Sequence, residues 1–89
     1  MDSTLKKSLK AQAHHLNPVI LMGNKGLTEA LIAETDLALT SHELIKIKLV
    51  SGEKAERLDM VQHLCETTQA ALVQLIGHIA VVYRKNPEK

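Results

Sequence analysis

Residues 19–29 read VILMGNKGLTE, and this stretch decides the fold of the 89-residue chain. Four apolar residues follow Pro18 and run into a Gly-x-x-Gly turn, after which a helix-start signal appears at once. The pattern predicts a short buried strand, a tight loop and the N-terminus of a helix. Because such a terminus carries unpaired N–H groups and a partial positive charge, it suits an anion. Lys25 lies at the tip of this Gly loop (residues 23–26).

The composition is that of one small globular domain. Hydrophobic residues make up 45% of the chain and charged residues 24%, which argues against disorder. No apolar run approaches the roughly 20 residues of a membrane-spanning helix, and the N-terminus lacks a signal-peptide pattern. We therefore expect no membrane partner and a cytoplasmic location, which the single cysteine, Cys65, also favours. We expect one domain over residues 1–85 and a polar tail over residues 86–89.

The charges are unevenly distributed, although the net charge is only +1. Residues 1–26 contain four lysines and one acid, whereas residues 27–89 contain seven cations and nine acids. On a helical projection of the first helix, four basic residues fall in one sector beside the apolar stripe. We call them the basic ridge, and they are Lys6, Lys7, Lys10 and His14. A solvated helix face is one explanation of this ridge, and a site for an anionic partner is the other.

Hydrophobic periodicity predicts three helices and four strands in the order α-β-α-β-α-β-β. The helices are predicted from Ser3 or Thr4 to about His15, with Thr4 as N-cap, from the N-cap Thr28 to about Thr40, and from about Glu53 to Thr68. The strands are predicted over residues 19–22, 44–50, 72–76 and 79–83, with Ser51-Gly52 ending the second. The predicted buried helix faces are Leu5, Leu9, Ala13 and Leu16; Leu31, Ile32, Thr35, Ala38 and Leu39; and Leu58, Val61, Leu64, Cys65 and Thr68.

The strand patterns predict how the sheet is covered. The first strand is apolar throughout, as in a strand that is covered on both faces or lies in a parallel sheet. In the second strand Lys46 and Lys48 alternate with three apolar residues, so one sheet face is wet or meets a partner. The last strand is the most continuously apolar and is placed in the sheet interior. Right-handed crossovers then put the second and third helices on one face of a compact α/β domain with a four-stranded mixed sheet.

The Gly loop matches neither of the common nucleotide-binding loops. The Walker A spacing and the Gly-x-Gly-x-x-Gly fingerprint are both absent. One alternative is that the two glycines only permit the turn between strand and helix. The other is a Gly-x-x-Gly clamp on an RNA backbone, in which the missing Cβ atoms let phosphates approach closely.

The chain lacks the residue patterns of catalytic and metal sites. Ser41, His42 and Glu43 are consecutive, so their side chains diverge, and Cys65 lies on a core stripe as a small hydrophobe. No Cys-x-x-Cys or His-Glu-x-x-His spacing occurs. We expect no enzyme activity, no metal, no cofactor and no small-molecule substrate. With no Phe or Trp and one Tyr, the chain also lacks a base-stacking platform, so RNA binding would depend on phosphates and shape.

Several segments together resemble a known family. Residues 13–19, 23–29 and 42–48, followed by residues 74–77 and 81–84, resemble the CRM domain, and more narrowly the stand-alone bacterial proteins of the YhbY type. The resemblance covers essentially the whole chain. It implies a fold similar to the C-terminal domain of translation initiation factor three, with strand order 1-2-4-3. It also implies RNA binding, association with precursors of the large ribosomal subunit and a role in ribosome assembly.

The resemblance also implies which residues contact RNA. The implied contacts are Gly23, Asn24, Lys25 and Gly26 in the loop, Lys6, Lys7 and Lys10 as flanking phosphate contacts, and Arg84 at the end of the last strand. Lys46 and Lys48 match by position, with solubility as the alternative explanation. A protein–protein adaptor on a ribonucleoprotein particle is the competing function, using the lysine-bearing side of the second strand or exposed helix faces.

Overall fold

A computed structural model of the chain describes residues 2–50 and 52–87, and it confirms the predicted order of elements. The predicted strand break at Ser51 and the tail residues Glu88 and Lys89 lie outside the described residues. The helices are α1 (Ser3–Ala13), α2 (Glu29–His42) and α3 (Lys54–Thr68), and the strands are β1 (Ile20–Met22), β2 (Leu44–Leu49), β3 (Ala71–Ile76) and β4 (Ile79–Tyr83).

The four strands form one mixed sheet in the order β1-β2-β4-β3. β1 pairs parallel to β2, and β4 pairs antiparallel to both β2 and β3. The apolar run of β4 therefore lies inside the sheet, as predicted. β3 contains a bulge between Leu72 and Gln74, so Val73 is the extra residue of this strand.

Two helices cover one face of the sheet and one helix covers part of the other. Leu31 and Leu39 of α2 and Val61 and Leu64 of α3 pack with the inward residues of all four strands in the main core. On the opposite face, Leu9 and Ala13 of α1 pack on a smaller cluster formed by Leu44, Val73 and Val81. This arrangement confirms that the second and third helices share a face.

Polar groups in the core are satisfied locally. Thr28 caps α2 as predicted, because its hydroxyl accepts a hydrogen bond from the Leu31 N–H at 3.1 Å. The buried hydroxyls of Thr35 and Thr68 each donate to the carbonyl four residues earlier at 2.8 Å. Burial raises the pKa of the Cys65 thiol to about 11, so this residue behaves as the small hydrophobe that its position predicted.

The first helix and first strand differ in detail from the predictions. Asp2, not Thr4, is the N-cap of α1: its carboxylate accepts from the Leu5 N–H at 2.7 Å and faces the positive end of the helix dipole. β1 lies in a parallel pair, but it is not covered on both faces, because Leu21 is 60% exposed. Three predicted core residues are also partly exposed: Leu5 at 40%, Leu16 at 38% and Leu58 at 37%.

The segment after β4 is fixed to the C-terminal end of α2. The Arg84 N–H donates to the Glu43 carbonyl at 2.9 Å, and the Asn86 N–H donates to the Glu43 carboxylate at 2.6 Å. Asn86 also donates from its amide to the Thr40 carbonyl at 3.0 Å. Contacts thus extend at least to residue 86, and the predicted domain boundary at residue 85 stays a prediction. Within the described ranges no helix is long and apolar enough to cross a membrane.

Candidate nucleic-acid interface

The Gly loop forms a closed turn directly after β1. The Gly26 N–H donates to the Gly23 carbonyl at 3.0 Å, which leaves Asn24 and Lys25 exposed at the corner. Among the residues that the structure describes, none accepts a hydrogen bond from the backbone N–H of Asn24 or Lys25. The loop therefore offers two N–H groups and one ammonium group as donors, a set that suits phosphate oxygens.

The two glycines of the loop differ in their backbone conformation and in the space around them. Gly26 has a φ of +68°, and a Cβ atom there would lie 3.3 Å from the sulfur of Met60. The fold itself therefore favours glycine at position 26. At Gly23 the φ angle lies outside the left-handed region and nothing lies within 4 Å of an added Cβ. The fold does not require a glycine at position 23.

The N-terminus of α2 contributes little attraction for an anion. Thr28 already occupies the Leu31 N–H, and Glu29 carries a full negative charge in the first helical turn. That charge offsets the roughly half positive charge of the helix dipole. Glu34 lies on the same side of the loop. The positive potential at the loop therefore depends on Lys25. The sequence pattern had instead suggested that the N-terminus of the helix attracts the anion.

The helix that carries the basic ridge packs on the sheet at the end away from the Gly loop. α1 packs over Leu44 at the start of β2, whereas the loop follows Met22, which pairs with Leu49 at the end of β2. Five strand residues separate these positions, or roughly 16 Å along the strand. The packing contact of α1 and the Gly loop therefore lie at opposite ends of β2.

An uncovered part of the sheet connects the ridge to the loop. Because α1 covers only one end of its face, several outward side chains of all four strands are left partly or fully exposed. We call this the open sheet face, and it comprises Leu21, Lys46, Lys48, Gln74, Ile76 and Ile79. Leu21 and Ile76 are about equally exposed, at 60% and 62%. Lys48 pairs with Leu21 on one side and with Ile79 on the other, in the middle of this face.

The charges divide between the elements of the domain. α1, the Gly loop and β2 together carry six lysines and no acid, whereas α2 and α3 carry six acids and two cations. Lys46 and Lys48 therefore belong to the basic side, although they follow the acidic α2 in the chain. The sequence left two explanations open for Lys46 and Lys48, a partner contact and solubility, and their role in binding stays a prediction. The alternation of these two lysines with buried residues is the sequence feature that places both on the same face of the sheet.

The guanidinium of Arg84 is held by groups within the fold. Its guanidinium donates to the Asp36 carboxylate and to the Thr68 carbonyl, and its second amino group donates to the Asp36 carbonyl and the Thr40 hydroxyl. These bonds join the end of β4 to the C-terminal halves of α2 and α3, and the side chain is 21% exposed. The geometry gives Arg84 a structural role, and its contact with RNA stays a prediction.

Metal binding has no candidate site in the described part of the chain, where no three His, Cys, Asp or Glu residues come together. The histidines are used otherwise: His78 pairs through Nδ1 with the Leu49 carbonyl at 2.8 Å, and His14 and His15 stack edge-to-face.

Sequence comparisons identify close relatives along almost the whole chain. A protein of Pseudomonas aeruginosa, named probable RNA-binding protein, is 47% identical over 83 residues, which cover 93% of this chain and 80% of the relative. A protein of Haemophilus influenzae, named RNA-binding protein, is 46% identical over 88 residues, which cover 99% of this chain and 89% of the relative.

The fold has also been observed before. The solution structure of a hypothetical protein from Staphylococcus aureus superposes with a TM-score of 0.86 at 30% sequence identity, covering 97% of this chain and 90% of that one. The CRS1/YhbY (CRM) domain matches residues 1–84. The chain therefore belongs to the CRS1/YhbY (CRM) domain family.

Proposed function

We propose that this protein binds structured RNA in the cytoplasm and assists assembly of the large ribosomal subunit without catalysing a reaction. The observation that carries the proposal is the charge division: six lysines without an acid on α1, the Gly loop and β2, opposite the acidic α2 and α3. A polyanion is attracted to the first side and repelled by the second, so the charge division also orients the encounter. The names of the relatives support RNA as this polyanion.

The binding mechanism rests on phosphate contacts spread over one face. The basic ridge and Lys48 provide point charges, and the Gly loop adds the Lys25 ammonium and two free N–H groups. Each lysine that neutralises a phosphate releases counterions, so affinity falls as salt rises. Since the chain has no Phe or Trp and one Tyr, base stacking adds little, and the shape of a folded RNA decides where the face fits.

The ribosomal target is the finer part of the proposal and comes from the family resemblance. The competing function, an adaptor that contacts protein on the same particle, would use a different surface. Leu37 on the acidic α2 is 69% exposed and is the most exposed large apolar residue among those described. The two functions differ in whether RNA holds the protein on the particle.

Sedimentation of a cell lysate on a gradient tests the ribosomal target. We expect the protein to migrate with precursors of the large subunit and to move to the top of the gradient after mild ribonuclease treatment or at about 0.5 M salt, because RNA phosphates hold it. Co-migration that survives both treatments would support the adaptor instead. Absence of the protein from every ribosomal fraction would contradict the ribosomal target. RNA binding itself is tested separately, by titration of RNA with the purified protein.

Substitution of the two loop glycines separates a role in binding from a role in folding. Gly23→Ala is expected to leave the free energy of unfolding within about 0.5 kcal/mol of wild type, because the backbone and the space allow a Cβ there. We expect it to weaken RNA binding about three- to tenfold, because the added methyl group holds a phosphate away from the loop. Thermal unfolding and RNA titration measure the two effects.

Gly26→Ala serves as the matched control. Its φ of +68° and the Met60 sulfur at 3.3 Å make alanine strained, so we expect a loss of about 1–2 kcal/mol in the free energy of unfolding. RNA affinity that stays at the wild-type value in Gly23→Ala would show that no phosphate approaches this glycine.

A further inference from the structure

A cleft lies between α1 and the open sheet face. Its volume is about 230 Å³, below the roughly 300–1,000 Å³ of pockets that hold drug-sized ligands. Ile76 of β3 and Ile79 of β4 provide apolar surface, and Lys10 of α1 and the C-cap His14 lie on one side, one helical turn apart. The cleft therefore has room for one small planar group and is too small for a nucleotide cofactor.

The bulge in β3 places an amide in this cleft. Val73 and Gln74 both lie opposite Val81, because Leu72 pairs with Val82 and Gln74 pairs with Val81. Val73 is buried beneath α1, and Gln74 lines the cleft. Bulges often re-aim a side chain in this way beside a binding site. Within residues 2–50 and 52–87, no hydrogen bond is made by the half-buried side-chain amide of Gln74.

The cleft is positively charged and contains no compensating acid. Lys10 and Lys46 line it from opposite walls, and neither forms an ion pair with a described residue. Phosphates therefore meet two free ammonium groups at the rim, while the cleft offers apolar contact and the solvent-accessible amide of Gln74. This combination matches the parts of a nucleotide: a phosphate, an apolar base face and a base edge with donors and acceptors.

We propose that the cleft holds the base of one unpaired nucleotide of the bound RNA, whose phosphate stays at the rim. The base packs against Ile76 and Ile79, the Gln74 amide hydrogen-bonds the polar edge of the base, and Lys10 and Lys46 contact the phosphate. A bulged or looped nucleotide can enter, because its base is already out of the stack, whereas a base within a duplex cannot. This inference rests on the proposed function and adds a preference to it: folded RNA with an unpaired nucleotide is bound better than a continuous duplex.

Two RNAs that differ in one nucleotide test the inference. One is a fully paired hairpin whose strands are joined by a non-nucleotide linker, so that it has no unpaired nucleotide, and the other is the same hairpin with a single bulged nucleotide. We expect the purified wild-type protein to bind the bulged hairpin about five- to tenfold more tightly. Gln74→Leu is expected to abolish this preference while the affinity for the paired hairpin and its salt slope stay unchanged, because no phosphate contact is lost. Gln62→Leu on the exposed surface of α3 is the matched control and is expected to keep the preference.

The outcomes separate this inference from the proposed function. Equal binding of the two hairpins by the wild type, with a steep salt slope, would overturn the cleft assignment and leave RNA binding intact. A preference that persists in Gln74→Leu would also overturn it. No binding of either hairpin would overturn the proposed function together with the inference. Gln74→Ala is the second variant, in case leucine disturbs the bulge, and it is expected to lose the preference with an unchanged melting temperature.

Discussion

Replacing Arg84 with alanine is expected to lower the melting temperature by roughly 10–20 °C. The guanidinium makes four hydrogen bonds that join the end of β4 to α2 and α3. Because Asp36 is 57% exposed, its charge is screened and the ion pair adds little. The larger cost comes from the part-buried Thr68 carbonyl, which loses its charged donor. We expect a loss of about 2–3 kcal/mol in the free energy of unfolding, which for a domain of this size gives the stated shift.

Two further variants control the Arg84 measurement. Arg84→Lys keeps the charge but lacks the planar fork, so it is expected to recover only part of the stability. Lys85→Ala removes the neighbouring exposed charge and is expected to stay within about 0.5 kcal/mol of wild type. If Arg84→Ala unfolds at the wild-type temperature but binds RNA more weakly, the residue is a contact with RNA and its internal bonds contribute nothing to folding.

The parts of the fold with local signals could be predicted from the sequence. Thr28 is the N-cap of α2 because its hydroxyl directly precedes an apolar helical pattern. At this position the hydroxyl can accept a hydrogen bond from an unpaired N–H group of the first helical turn. The alternation of apolar residues and lysines in β2 indicated which side of that strand faces the core. The continuous apolar run of β4 indicated that this strand lies in the interior of the sheet. Each of these features depends on residues a few positions apart, so the periodicity is sufficient to define it.

The features that depend on distant packing could not be predicted. Nothing in the sequence of α1 indicates that it covers only one end of the sheet, and this decides that Lys46 and Lys48 share a face with Lys10. The assignment of Arg84 as an RNA contact comes from the family resemblance alone. Its hydrogen-bond partners Asp36 and Thr68 lie 48 and 16 residues away in the sequence, so no local pattern indicates them. The bulge at Val73 has no glycine or proline to signal it.

The central claim is that lysines spread over one face bind RNA through its phosphates. The combined substitution Lys10→Ala, Lys25→Ala and Lys48→Ala removes one charge each from the ridge, the loop and the open sheet face. The three lie on different elements and share no partner among the described residues, so their effects are expected to add. We expect a loss of roughly a hundredfold or more in affinity for a folded fragment of large-subunit ribosomal RNA near 0.1 M salt, with little change in stability, because all three side chains are exposed.

The most direct test is the salt dependence of that affinity, measured by fluorescence anisotropy between about 50 and 200 mM salt. If all six lysines of the basic side contact phosphates, the wild-type slope of log affinity against log salt is about −4 to −5, and the triple variant reduces its magnitude by about 2 to 3. Lys54→Ala with Lys85→Ala removes two charges elsewhere and is expected to keep the wild-type slope. A triple variant with the wild-type affinity and slope would contradict the assignment of RNA to this face.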